Sequence, residues 1–240
     1  MEKREIKITL FPSFTGRKFL STLKRLFLHF LHMQILQNYF DDFSEKQLQQ
    51  FAALKSLYEE WNQKINVISR KDMDHFYEHH VLHSLAIATQ FDFPSGYKIM
   101  DIGCGGGFPG IPLAIFFPEV HFHMVDSINK KLKVVEAVAN EIGLTNITVQ
   151  HTRAEEIKDK KFDVVVSRAV APLKDLWFWS KPLLKKKPVD QPKKITGLIC
   201  LKGGDLSKEI HESGLHPRVW EISKIFEEDF FKEKYILSIS

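Results

Sequence analysis

An α/β fold, with a mostly parallel seven-stranded sheet covered by helices on both faces, is predicted by three features of this 240-residue sequence. Short apolar runs rich in β-branched residues alternate with stretches of helical period from residue 98 onward, and each crossover between parallel strands must return over the sheet. A glycine-rich turn joins the first of these runs to the first helix. Two late runs lie close together in the chain and predict an antiparallel edge pair. Composition fits a globular chain, with 44% apolar and 27% charged residues. Two cysteines cannot staple a secreted scaffold, so a reducing, cytoplasmic setting is expected. The apolar stretch 26–33 is interrupted by His29 and His32 and is too short for a bilayer, so no membrane partner is expected.

In chain order, Phe19, Leu23, Leu26, Phe27, Phe30 and Leu31 recur at helical spacing opposite Arg17, Lys18, Lys24 and Arg25. Such a basic amphipathic helix suits a membrane surface or a partner. The blander reading is preferred: Met33 is the natural start and 1–32 is upstream sequence. From Ser44 the pattern becomes regular. Ser44 and Gln47 form a capping box, and Leu48, Phe51, Leu54, Tyr58 and Trp61 follow at steps of three and four, predicting a helix to about Asn62. A second helix is expected over 72–91. Phe91 to Gly96 carries the proline and glycine of a domain entrance. Strands are then expected at 98–103, 122–126, 147–150, 163–167 and 195–201, with helices at 111–117, 129–142, 173–184 and 205–211 and the edge pair at 218–225 and 234–240. Prolines and like charges make 185–194 a loop. The expected organisation is an extension (1–32), a helical segment (33–95) and a Rossmann-like domain (96–240).

The net charge of +4 is local in origin. Residues 1–32 hold 7 Lys+Arg against 2 Asp+Glu, and 151–202 hold 13 against 6, whereas the remaining segments are acidic. A polyanion should therefore meet 151–202.

Chemistry concentrates in Asp101-Ile-Gly103-Cys-Gly105-Gly-Gly107-Phe-Pro109-Gly110, where glycines let a cofactor approach the backbone in turns of positive φ. Pro109 suits the first helical turn. Asp126 ends the second strand 23 positions after Gly103, near the offset at which an acid accepts ribose hydroxyls. Gly105-x-Gly107-x-x-Gly110 also satisfies a dinucleotide fingerprint, so a nicotinamide-dependent oxidoreductase stays open on spacing alone. S-adenosylmethionine is favoured because Asp101 can face the cationic methionine end, whereas it would repel a pyrophosphate. One sheet also nearly exhausts the chain.

These residues resemble the small-subunit rRNA guanine-N7 methyltransferases called RsmG, or glucose-inhibited division protein B, from about Met33 to the end. The resemblance rests on Glu60-Trp-Asn-Gln-Lys-Ile-Asn-Val-Ile-Ser-Arg70, His80-Val-Leu-His-Ser84, the run from Asp101 to Ala114, Arg153-Ala-Glu-Glu156 and Val166-Ser-Arg-Ala169. It implies a class I S-adenosylmethionine-dependent methyltransferase sheet behind a helical segment. The implied substrate is a guanine of 16S rRNA, position 527, as naked RNA or in an assembling small subunit. It also implies cofactor contacts at Gly103, Phe108, Ala154, Glu155 and Arg168, with Asp126 on the ribose, and His80 near the site. Asp101, Gly105 and Gly107 complete the expected cofactor set. Members often have Asp where this chain has His83.

Guanine N7 has a free lone pair, so direct in-line displacement needs no general base, only positioning, with Arg168 and His80 as candidates. The Ser-Arg-Ala-Val-Ala-Pro172 run lacks the motif with which exocyclic-amine methylases grip an amine, and it lacks the cysteine of C5-pyrimidine chemistry. Lys185, Lys186, Lys187, Lys193 and Lys194 are the expected RNA contacts, with Trp177, Phe178 and Trp179 interleaved. A non-catalytic RNA-binding module is the alternative from another functional class. His75, His79, His80 and His83 have helical spacing, but Glu78 is the sole acid in that run, so no metal is expected. A monomer is expected.

Overall fold

The computed structural model describes residues 33–158, 160–168, 170–186 and 195–240. The amphipathic stretch 17–31 and the lysines at 187, 193 and 194 lie outside the described residues. Seven strands form one sheet: β1 (Lys98–Ile102), β2 (His121–Asp126), β3 (Ile147–His151), β4 (Val164–Arg168), β5 (Gly197–Gly203), β6 (Arg218–Glu221) and β7 (Lys234–Ile239). Their order is β3-β2-β1-β4-β5-β7-β6, parallel except that β7 runs antiparallel to both β5 and β6. This is the class I arrangement expected, and its order reverses between β1 and β4, where a crevice opens at the carboxyl ends of the strands. Only β6 is an edge strand on that side. It is short and carries Arg218 and Glu221, which oppose pairing with another chain.

The helix α1 (Glu45–Asn62) starts at the predicted capping box, with the Ser44 amide 2.9 Å from Gln47 Oε1. The same Gln47 donates through Nε2 to the Ile115 and Phe116 carbonyls at the end of α4 (Gly110–Phe116). Gln50 donates to the Ile142 carbonyl just after α5 (Asn129–Glu141). Two glutamines thus satisfy orphan carbonyls of two sheet-covering helices. One apolar cluster runs from Phe51, Leu54 and Tyr58 through Phe108 and Leu113 to Phe122 and Val166. A second, on the other sheet face, joins Met100, Val165 and Leu198 to Leu173 and Leu176 of α6 (Leu173–Ser180).

The single helix expected over 72–91 is instead several pieces. Ser69 caps a short α2 (Arg70–Met73), accepting from the Asp72 amide. A π-helical stretch (Tyr77–Leu82) then leads into α3 (His83–Leu85) and a 3₁₀ turn (Ile87–Thr89). Buried residues fall on Phe76, Tyr77, Val81, Leu82 and Leu85, too wide a set for one stripe of period 3.6, and the wider π turn brings them to one side. Pro109 also sits one position earlier than expected, immediately before α4; Pro112 occupies its first turn. The expected helix 173–184 ends as α at Ser180 and continues as a 3₁₀ turn (Lys181–Leu183). The last helix is α7 (Ser207–Ser213), closed by Gly214 at φ 66°.

Candidate cofactor site

β1 delivers Asp101, fully buried, to the start of the glycine turn. Its Oδ2 accepts the Gly110 N–H at 2.8 Å, anchoring the start of α4, while Oδ1 has no hydrogen-bond partner. Burial raises its pKa to about 8, so the carboxyl holds its proton at neutral pH. β2 delivers Asp126, whose Oδ2 accepts the Gly105 N–H at 2.9 Å and Oδ1 the Ile128 N–H at 2.8 Å. Each oxygen keeps a second lone pair. β1 and β2 pair in register, Asp101 beside Met124.

Gly103, Gly105 and Gly107 all have positive φ (63°, 56° and 103°). They differ in surroundings. At Gly105 a Cβ would meet no atom closer than 4.0 Å, so this position faces open space beside Asp126. At Gly103 it would lie 2.6 Å from Val170 Cγ1, because the β4–α6 loop leans over the turn. The turn is held from behind: Tyr58 Oη donates to the Gly106 carbonyl at 2.5 Å. Asn62 accepts the Val67 and Ile68 N–H groups, fixing the loop whose Val67 backs Gly106.

The residues expected after β3 are beside Asp126: the Thr152 N–H donates to the Asp126 carbonyl at 3.3 Å. A 3₁₀ turn (Ala154–Glu156) then buries Ala154 and leaves Glu155 exposed, 3.8 Å from Arg153. Phe108, an expected cofactor contact, is buried. Its ring is buried against Tyr58 (5.0 Å between centroids), His80 (5.1 Å) and the Arg168 guanidinium (5.0 Å). Arg168, at the end of β4, turns toward the helical segment. Nη1 donates to the His79 carbonyl (3.3 Å) and Nη2 meets His80 Nδ1 (3.1 Å). An arginine is a donor only, so Nδ1 accepts and His80 is neutral with its proton on Nε2. Burial and the neighbouring guanidinium agree, pulling the His80 pKa down to about 3. His80 Nε2 has no partner.

The lysines separate into two groups. Lys185 forms an ion pair at 2.7 Å with Asp163, whose side chain is 2% exposed. Asp163 also accepts the Lys98 N–H, so Lys185 and its neighbour Lys186 lie at the amino edge of the sheet. The crevice is at the opposite edge, a strand's length of about 16 Å away. The chain returns there because α6 runs back over the sheet, and the Lys185 N–H donates to the Phe162 carbonyl. Lys185 and Lys186, two of the expected RNA contacts, therefore lie away from the crevice. Trp177 and Trp179 pack on the second core cluster, and only Phe178, 73% exposed, projects outward.

At the crevice edge, sequence reasoning missed a different lysine. Lys202 of β5 is buried and donates to the Ala171 carbonyl (2.5 Å) and Glu209 Oε1 (2.7 Å). Glu209 also accepts the Leu173 N–H at 2.6 Å. This pair ties down the β4–α6 loop, and beside it opens a cavity of about 790 Å³ with a mixed charged lining, Lys174, Lys202 and Lys208 alongside Asp175, Asp205, Glu209 and Glu212. The available signal was a lysine directly after the apolar run Leu198 to Leu201 in the same strand, since a buried ammonium needs a partner. Cys104 and Cys200 are buried.

The donor set suits the methionine end and sugar of S-adenosylmethionine. An orphaned carboxyl oxygen on Asp101 is available to an ammonium, and the open face of Gly105 adjoins an oriented carboxylate on Asp126. The profile of the family described as rRNA small subunit methyltransferase G, GidB, matches residues 45–231. The chain is 54% identical over 211 residues to ribosomal RNA small subunit methyltransferase G of Bacteroides thetaiotaomicron, covering 85% of this chain and 98% of that one. It is 49% identical over 208 residues to the protein of the same name from Cytophaga hutchinsonii, covering 86% and 99%. Among solved structures, that of a mutant of MtNAS is similar in fold, with a TM-score of 0.52 at 15% identity over 80% of this chain and 73% of its own.

Proposed function

The chain belongs to the rRNA small subunit methyltransferase G family, and from that premise we propose that it methylates N7 of a guanine in 16S rRNA, position 527, using S-adenosylmethionine. Family membership sets aside the nicotinamide oxidoreductase and the non-catalytic module. The observation that carries the cofactor reading is the pair of carboxyls, Asp101 and Asp126, bound to opposite ends of one glycine turn through the Gly110 and Gly105 amides.

The bound cofactor would supply an electrophilic methyl group on a sulfonium. Asp126 accepts the ribose hydroxyls through its remaining lone pairs, and the turn at Gly103 and Gly105 admits the methionine portion against the backbone. Ala154 and Glu155 border the adenine. Asp101 offers Oδ1 to the ammonium, and a cation there favours its ionised form. Bound S-adenosylmethionine would supply its methyl carbon to the N7 lone pair by in-line displacement, the electron pair of the broken S–CH₃ bond staying on sulfur and the positive charge passing to the base. No proton moves, so the neutral His80 and the inward-turned Arg168 act by positioning the wall behind Phe108. The target base would enter past Val170, with Lys174 and Lys208 facing the RNA backbone. We further propose that the chain acts in the cytoplasm as a monomer; no helix among the described residues is long and apolar enough to cross a membrane.

Mapping of cleavage-sensitive 7-methylguanosine in rRNA from cells with and without the gene tests this reading. A single small-subunit guanine should lose its methyl group in the deletion and regain it on complementation. An unchanged map contradicts the assignment.

A further inference from the structure

The sequence predicts no metal because Glu78 alone accompanies the histidines. Folding adds a second acid. The break between α2 and the π-helical stretch brings Asp72 back onto His79, with Oδ1 3.0 Å from Nδ1. Asp72 Oδ2 in turn accepts from Ser69 Oγ at 2.6 Å, so the carboxylate is itself oriented. A carboxylate on Nδ1 keeps the proton there and leaves the Nε2 lone pair of His79 free, which is how outer carboxylates orient metal-binding imidazoles. That free nitrogen lies 4.0 Å from Glu78 Oε1, and Glu78 Oε2 lies 3.8 Å from His75 Nδ1. One ligand atom from each of the three residues falls within 4.8 Å of the others.

The three donors are one helical turn apart: the His79 N–H donates to the His75 carbonyl at 2.8 Å. The rings are stacked, His75 on His79 at 4.8 Å and His79 on Phe230 at 3.8 Å. Because the two rings are nearly parallel, at 13°, one ion can take both in-plane lone pairs only when the exposed His75 ring tilts off the stack. His80 and His83 do not join them, since His80 is committed to Arg168 and His83 is buried against Phe230 and Phe231. Four-coordinate zinc with bonds of about 2.0–2.1 Å needs donors about 3.3 Å apart. The widest present separation, 4.8 Å, has to close by about 1.5 Å to reach that value.

We propose that His75, Glu78 and His79 bind a divalent cation of the zinc class, with Asp72 as the positioning residue for His79. Two imidazoles and one carboxylate select zinc over magnesium or calcium, which prefer all-oxygen sites. Three protein donors leave an outer position open to water, consistent with the exposure of His75. A cation here would fix the segment whose His79 carbonyl and His80 ring receive Arg168. The site is independent of the methyl-transfer reading, and its test does not use that activity.

The test is calorimetric titration of zinc ion into the full chain, purified without a histidine tag. One equivalent should bind, and His75→Ala and Glu78→Gln should each weaken binding at least tenfold. Asp72→Asn should weaken it about tenfold or more, while His211→Ala, outside the cluster, leaves it unchanged. Because His75 is 59% exposed, its alanine variant should fold, as unchanged circular dichroism would verify. Cobalt ion should give four-coordinate visible bands in the wild type and none in His75→Ala. Absence of zinc binding, or an affinity unchanged by either the His75 or the Glu78 substitution, overturns the proposal.

Discussion

The carboxylates around the glycine turn and the lysines of 174–202 are both concentrations of charge, but they are built differently. Asp101 and Asp126 lie at the carboxyl ends of adjacent parallel strands and are held by the backbone amides of Gly110, Gly105 and Ile128. Their spacing in the chain therefore fixes their place in space. The lysines are distributed by a helix that leaves the crevice and returns at the far edge of the sheet. Lys174 and Lys202 stay at the crevice, and Lys185 ends beside Asp163. Charge counting finds a basic segment; topology decides which of its members can meet a substrate.

The sharpest way to break this contrast is Asp126→Ala. It removes charge-assisted hydrogen bonds worth about 1.5–3 kcal/mol each, so S-adenosylhomocysteine affinity measured by calorimetry should fall by about 100-fold. A Kd within a few-fold of wild type would show that the carboxylate only shapes the turn. Lys185→Glu should leave that Kd unchanged while lowering the urea midpoint, since it faces the buried Asp163.

Next in size is Lys202→Met. It leaves Glu209 without its cation, and because Glu209 is partly exposed the expected loss of stability is about 1–3 kcal/mol, less than for a fully buried pair. Equilibrium urea unfolding reads it. An unchanged midpoint would mean the loop between β4 and α6 is held by its other contacts.

A third comparison separates the lysines by function. Reversing Lys174 and Lys208 should weaken rRNA binding and reduce its salt slope by about one to two. Reversing Lys186 should do less. If instead the change at Lys186 dominates, the RNA crosses the amino edge of the sheet, as composition alone suggested.

The pH dependence follows from buried histidines. His80, at about 3, and His83, also well below the usual imidazole range, are neutral when folded and titrate normally when unfolded. The unfolded chain therefore binds more protons below about pH 6.5, and stability falls as pH drops from there toward 3. Replacing His80 by Gln should flatten the slope of urea stability against pH in that window; an unaltered slope would mean that His80 is solvated. Asp101 carries the opposite sign. Its raised pKa keeps it protonated near neutrality, so a cationic ligand that ionises it should bind with proton release, and more tightly as pH rises from about 4 to 8. The smallest effect is expected for Tyr58→Phe, about 1 kcal/mol from the lost bond to Gly106.

Much of the sheet was legible because its signals are local. Strand, glycine turn, helix and a second strand ending in an acid occur in one continuous stretch, and the Ser44 box announces its own helix. What escaped reading depends on contacts distant in sequence. The 72–91 region reads as one helix because its apolar residues are dense, yet packing against Phe108 and Phe230 widens it into π turns. Glycine was expected in the turn to admit a ligand; a side chain at Gly105 would meet open space, whereas at Gly103 the neighbour is the protein's own Val170. Phe108 belongs to the wall because Arg168 lies over its ring. Lys202 and Glu209 could not be paired without knowing that α7 passes the end of β5.

The central claim is methyl transfer to a base nitrogen that needs no deprotonation. Its most direct test is transfer of labelled methyl from S-adenosylmethionine to small-subunit rRNA carrying guanine or 7-deazaguanine at the mapped position. Incorporation with guanine and none with the 7-deaza base is predicted. Equal labelling of both would place the methyl on another atom and contradict the account.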